Sequence, residues 1–141
     1  MNIVLAIHPE WAEKNYSKEK LYEYRKTFPD NFNAKKDCIF LYETSPVRKI
    51  TGSITIDEKS SIGFNASGDS FPEDVNPEKG CVDLESLDAY WTKGNGMLYI
   101  LRIKSVSHFY KSCEMELKDF GLHQAPQSWA YAIRNQTELK F

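Results

Sequence analysis

Apolar residues along this chain fall into short runs with the period of strands, not of long helices. Ile3–Ile7 is a short continuous apolar run rich in β-branched residues, the pattern of a buried strand. Residues 21–26 alternate, with Leu21, Glu23 and Arg25 on one face and Tyr22, Tyr24 and Lys26 on the other. "CIFLYE", residues 38–43, is the most apolar run and reads as a central strand. "ITGSITID" alternates too, with Ile50, Gly52, Ile54 and Ile56 facing inward and Thr51, Ser53 and Thr55 outward. Gly52 within it predicts a bulge, a barrel corner or a close backbone approach. "MLYILRIKSV", residues 97–106, is a further long strand, and residues 130–133 read as a last one.

Helices are fewer. "HPEWAEKNYS" has Pro9 where a first helical residue needs no N–H, and Glu10 and Glu13 where the positive helix end favours acids. It predicts a short helix over residues 9–16. Residues 84–91 carry a helical pattern closed by "GNG", and residues 117–122 read as a turn or a short helix. Residues 57–83 are rich in Ser, Gly, Asp, Asn, Glu and Pro, and are expected to form a mobile loop. The order is mixed α+β, mainly β. It is not a regular βαβ repeat, and it predicts one domain over 1–141: a small closed or nearly closed β-barrel of about five to six strands with two or three short flanking helices.

Composition narrows the function. The 141 residues hold 20 acidic and 18 basic side chains, a formal net charge of -2. Binding to duplex nucleic acid by charge alone calls for a basic protein. A small basic pocket on a neutral body remains compatible. Three scattered cysteines and three scattered histidines match neither a disulfide framework nor zinc-ligand spacing, so reduced thiols, the cytoplasm, no metal and no cofactor are expected. The first residues lack a basic leader region and read as a strand. No run reaches the ~18 apolar residues of a membrane span, so no membrane partner is expected.

Three stretches carry candidate chemistry. In "KEKLYEYRK", residues 18–26, Lys20, Glu23 and Arg25 combine a point charge, an acceptor and a planar donor fork. Such a set suits a phosphate, a carbonyl edge or an exocyclic amine. The plain alternative is an exposed ion pair of little energetic weight. In "LYETSPV", Tyr42, Thr44 and Ser45 sit where a strand runs out into a turn; Tyr42 could stack on a base, or the hydroxyls could simply shape the turn. In "APQSWAYA", Gln127 can read a base edge beside Ser128, while Trp129 reads as a core plug anchoring the C-terminal segment. His8, ahead of Pro9, reads as a capping or packing residue more than as a general base.

These segments, in this order, resemble the ASCH family of the PUA-like superfamily, named for homology to an activating signal cointegrator. The likeness runs through "LAIHPEWAEKNYSKEKLYEYRKTFP", "IFLYETSPVRKITGSITI", "LYILRIKSV" and "FGLHQAPQSWAYA". The family hallmark G-x-K-x-x-E-x-R reads K-E-K-L-Y-E-Y-R here, placing Lys20, Glu23 and Arg25 in register and Lys18 where the family has glycine. The resemblance implies a PUA-like β-barrel with a cleft beside the hallmark strand. It implies a nucleic acid or nucleotide as the ligand, with Lys20, Glu23 and Arg25 at the cleft, and a regulatory role in transcription or translation. The net charge makes single-stranded RNA or one nucleotide or nucleoside the expected form, and Tyr42, Thr44, Ser45, Gln127 and Ser128, from the residue readings above, complete the expected ligand-binding set. Some small members resemble this chain at Lys20 and remove acyl groups from N4-acylcytidine with a Lys, a Thr and a Glu. The Thr of that set falls where this chain has Glu23, so such an enzyme would draw on Lys20, Glu23 and Thr44. Ribonuclease activity would use the same residues. A protein-interaction module is a third class, with the long loop as its surface. For a binding cleft, Arg25→Ala is expected to weaken the ligand and leave stability nearly unchanged.

Overall fold

The structure, a computed structural model, describes residues 1–63, 80–82, 85–87, 90 and 97–132. Its elements follow the order β1 (Ile3–Ile7), α1 (Pro9–Tyr16), β2 (Tyr22–Arg25), β3 (Ile39–Glu43), β4 (Lys49–Gly63), β5 (Met97–His108) and β6 (Trp129–Tyr131), with 3-10 turns at Lys111–Cys113 and Leu117–Phe120. All six strands join one sheet in the order β2-β5-β4-β3-β1-β6. The pair β1 and β3 is parallel, and the other neighbours are antiparallel.

The two most apolar runs take the middle of the fold, as their composition dictates. In β1 the side chains of Ile3, Leu5 and Ile7 enter the main core, together with Ile39 and Leu41 of β3, while Val4, Ala6, Phe40 and Tyr42 enter a second apolar cluster with Phe120. Both strands are thus covered on both faces, which is why they read as continuous apolar runs and not as alternating ones.

In β4 the inward face changes partway along. Leu41 pairs with Gly52 and Tyr42 with Ile50, so Thr51 is the extra residue of a bulge. An inserted residue flips the alternation beyond it. Ile50 therefore lies in the second cluster while Ile54 and Ile56 lie in the main core, a correction to the single inward face expected from the sequence. Thr51, expected outward, is buried and bonds the Tyr16 hydroxyl at 2.6 Å. Gly52 sits where a Cβ would fall 2.3 Å from the Ser107 carbonyl oxygen and 2.5 Å from the Tyr16 hydroxyl. The bulge and the close approach expected at this glycine are both present.

Residues 57–63, expected in the mobile loop, instead extend β4 along β5 as far as Gly63 opposite Met97. Their polar side chains hid the strand. Asp57 and Glu58 face solvent and pair with Arg102 at 2.7 and 3.3 Å, and Lys59 donates to the Asp30 carbonyl at 2.9 Å. Most of the remaining loop lies outside the described residues. Residues 85–87 and 90 are helical, within the second helix expected from the sequence.

Helix α1 ends through Ser17, and Lys18 follows with φ 65° in the left-handed region, its amide donating to the Asn15 carbonyl at 3.1 Å. This is the position just beyond a helix that glycine most often fills. The turn keeps its geometry with lysine there, at a steric cost of roughly 1–2 kcal/mol. Lys18→Gly is expected to raise stability by about 0.5–1 kcal/mol, the remainder being offset by the freer unfolded chain. Denaturant midpoints check this; a lower midpoint for the variant would show that the Lys18 side chain outweighs its backbone strain.

The sheet curls into a half-barrel whose two open edges, β2 and β6, approach each other. Side chains bridge the remaining gap. Arg25 of β2 donates from Nη2 to the Ala6 carbonyl of β1 at 3.1 Å, the Trp129 indole donates to Thr27 at 3.2 Å, and the Tyr131 hydroxyl donates to Asn31 at 3.0 Å.

Candidate functional site

Where strand pairing stops between these two edges, a cavity of about 660 Å³ opens. Its walls come from the ends of the chain elements just described: Ala6 to His8 at the end of β1, Trp11 of α1, Lys20 and Glu23 to Thr27 around β2, Thr44 after β3, and Pro126 to Ser128 before β6. Residues 80, 82, 86, 87 and 90 close another side. Gly80 lets that segment lie flat on β2, because a Cβ there would fall 2.2 Å from the Tyr24 ring. The size suits one nucleoside-sized ligand.

On the floor of the cleft lies a buried ionic triad. Lys20 and Glu23 are 6% and 3% exposed. The Glu23 carboxylate is shared: Oε2 pairs with the Lys20 ammonium, and Oε1 accepts from Arg25 Nε at 2.9 Å. Burial alone would raise the Glu23 pKa, but the adjacent charges of Lys20 and Arg25 outweigh it and hold the carboxyl below its ordinary range. The group stays ionised and carries a net charge of one positive. The exposed ion pair considered from sequence is thus replaced by a buried one, since Glu23 stands opposite Leu101 on the inward face of β2.

Arg25 extends the triad across the gap. Besides Glu23 and the Ala6 carbonyl, it donates from Nη1 to the Ser128 hydroxyl at 3.3 Å. Among the described residues three of its five N–H groups are so engaged. Aromatic faces flank the charges. The Lys20 ammonium lies 5.6 Å from the Trp11 ring centre, and the Lys26 ammonium lies 4.7 Å from that of Tyr90. The Lys26 amide also donates to the Tyr90 hydroxyl at 3.1 Å. Burial pushes the Tyr90 phenol up, so it keeps its proton at neutral pH.

Of the residues singled out from sequence, Lys20, Glu23, Arg25, Thr44, Gln127 and Ser128 all line this cleft. Tyr42 does not reach it: its ring is buried in the second apolar cluster with Phe40 and Ile50, on the other face of β3. Ser45, one residue beyond Thr44, is exposed and not part of the lining. Trp129 packs against the main core, in keeping with its reading as a plug. His8 caps α1 without a side-chain bond to the helix. It is exposed at the cleft, with Nδ1 3.2 Å from the Thr44 hydroxyl.

The architecture matches solved structures from Zymomonas mobilis. A crystal structure of an ASCH protein from that organism superposes with a TM-score of 0.71 at 17% identity, covering 92% of this chain and 86% of that one. A tyrosine-to-phenylalanine variant of the same protein gives 0.71 at 16%, covering 92% and 88%, and a serine-to-alanine variant gives 0.71 at 17%, covering 92% and 87%. The chain has the ASCH fold. No family model matches the chain, and no curated protein does.

On this ASCH scaffold, Trp11, Lys26, Thr27 and Tyr90 join the cleft without having been singled out from sequence. Lys26 and Thr27 directly follow the hallmark run, and their nearness to Arg25 was the available signal. Trp11 sits one turn into α1, where an amphipathic reading assigns it to packing. Tyr90 comes from a segment far along the chain, and only the tertiary fold brings it to Lys26.

Proposed function

We propose that this protein binds single-stranded RNA, seating one nucleotide in the cleft between β2 and β6. The observation that carries the reading is the combination within a nucleoside-sized cavity of net positive charge with aromatic walls. Lys20, Arg25 and Lys26 against Glu23 favour a phosphate, and Trp11 and Tyr90 offer faces to a base. A net charge of -2 does not favour binding that runs on neutralising many phosphates, so a single unpaired nucleotide fits better than a helix.

Titration of a labelled single-stranded RNA followed by fluorescence anisotropy tests this. Binding is expected for the single strand and not for the duplex, weakening with salt on a shallow slope of about one to three phosphate contacts. Lys26→Ala should reduce that slope by about 0.7. Equal affinity for the duplex, or none for either, would end this reading.

The contact between Thr44 and His8 favours one rival. A hydroxyl beside an imidazole is the arrangement of an activated nucleophile. Lys20, held by Glu23, is less free to serve Thr44 as base. A hydrolase in this cleft, acting on N4-acylated cytidine, would therefore rely on His8. Release of acetate from N4-acetylcytidine, abolished by Thr44→Val, would replace binding with catalysis as the function.

A further inference from the structure

The hydrogen-bonding capacity of the cleft is one-sided. The Glu23 carboxylate is 3% exposed, with one oxygen facing the Lys20 ammonium and the other accepting from Arg25 Nε. Three of the lining hydroxyls accept from protein donors. Ser128 Oγ accepts from Arg25 Nη1 at 3.3 Å, Thr27 Oγ1 accepts from the Trp129 indole at 3.2 Å, and the Tyr90 oxygen accepts from the Lys26 amide at 3.1 Å. Each of these three oxygens receives a protein hydrogen, so each hydroxyl proton is left to donate, and none has a protein acceptor among the described residues. Among the described residues Arg25 keeps two N–H groups and the Lys20 ammonium keeps hydrogens beyond the one on Glu23. Against these donors stand the exposed Gln127 amide, which brings both a carbonyl and an NH₂, and at the far wall the Thr44 hydroxyl and His8 imidazole, which face each other at 3.2 Å.

We infer that the cleft selects a base whose edge presents two carbonyls around a single ring N–H, as uracil does, over a base carrying an exocyclic amine. This rests on the reading of the cleft as a nucleotide site. Uracil brings four carbonyl lone pairs and one N–H. The donors meet the carbonyls, and Gln127 Oε1 accepts the N–H. Cytosine replaces one carbonyl with an amine bearing two hydrogens. Glu23, the side chain that would accept from an amine, is 3% exposed with its oxygens turned to Lys20 and Arg25, and the amine dipole would point toward Lys20, Arg25 and Lys26. A buried polar group left unpaired on either partner is what makes such discrimination large.

Calorimetric titration with uridine 5′-monophosphate and with cytidine 5′-monophosphate decides the matter. The uridine nucleotide is expected to bind at least tenfold more tightly. The isosteric Thr27→Val and the small Ser128→Ala each remove a donor, and are expected to lower uridine affinity more than cytidine affinity, narrowing the ratio. Thermal melts establish that both variants remain folded; the wild-type ratio alone still tests the inference if one does not. Equal affinities, or tighter binding of the cytidine nucleotide, overturn the selectivity while leaving nucleotide binding intact. Absence of binding by both nucleotides and by single-stranded RNA overturns the site reading itself.

Discussion

Glu23→Ala is expected to lower the free energy of unfolding by about 3–5 kcal/mol, the range seen when one partner of a buried ion pair is removed. The alanine would leave Lys20 and Arg25 beside each other with no anion between them. Lys20 is 6% exposed and the Arg25 side chain 12%, so cleft water replaces the carboxylate only in part. Glu23→Gln keeps the shape and should also destabilise, because it leaves the same two cations unneutralised. The pH dependence follows from the lowered Glu23 pKa. The unfolded chain takes up this proton near the ordinary value of 4.5, and the folded protein only at a lower pH. Above 4.5 the contribution is fully present; it fades as pH falls toward the depressed folded value. Urea unfolding from pH 7 down to pH 3 should show wild-type stability falling across that lower window, with the Gln variant less stable at pH 7 and flatter below pH 4.5. A loss under about 1 kcal/mol for Glu23→Ala at pH 7 would put the triad in the class of exposed pairs.

That triad also shows how far the sequence reached. Lys20, Glu23 and Arg25 stood out because three charges of mixed sign crowded an otherwise strand-like run. Their mutual pairing could not be read there, since i,i+2 and i,i+3 spacing is equally consistent with a solvated face. What decides burial is the partner strand: Leu101 opposite Glu23 turns that face into the barrel. The strands built on apolar runs were legible, β1 with its bounds and β3 to within one residue at its start, because burial on both faces leaves an unbroken signature. The end of β4 was not, because its outer residues are held by backbone pairing and by ion pairs of Arg102, neither of which leaves a period of two. The inward face of β4 was misread at Ile50 for one local reason, the extra residue at Thr51. The closeness of Tyr42 to Thr44 in sequence points it toward the cleft. The strand carries its ring to the far side, and only the turn after Glu43 brings Thr44 to the cavity.

Arg25→Lys is expected to weaken nucleotide binding about tenfold to a hundredfold and to destabilise the protein by about 1–3 kcal/mol, although the charge is kept. Sequence reasoning expected this side chain to serve the ligand alone, with little effect on stability. The structure gives it two tasks. Its Nη2 bond to the Ala6 carbonyl, at 3.1 Å, ties the β2 edge to β1 across the opening of the half-barrel, and its Nε bond anchors Glu23. A lysine ammonium is a compact donor and cannot reach Glu23, Ser128 and Ala6 together, whereas the guanidinium does so through three separate nitrogens. The lost fork removes a charge-assisted contact to the ligand, worth on the order of 1.5–3 kcal/mol, and leaves a strand carbonyl without its donor. Ser128→Ala separates the two effects. It removes only the Nη1 partner, at 3.3 Å, so the bridge to Ala6 persists and stability should fall by less than about 1 kcal/mol while binding still weakens. Calorimetric affinities for uridine 5′-monophosphate, taken well below each variant's melting midpoint, together with those midpoints, measure both quantities. Full affinity in Arg25→Lys alongside a lowered midpoint would reduce the arginine to a clasp between sheet edges; unchanged stability with lost affinity would mean that the clasp holds without it.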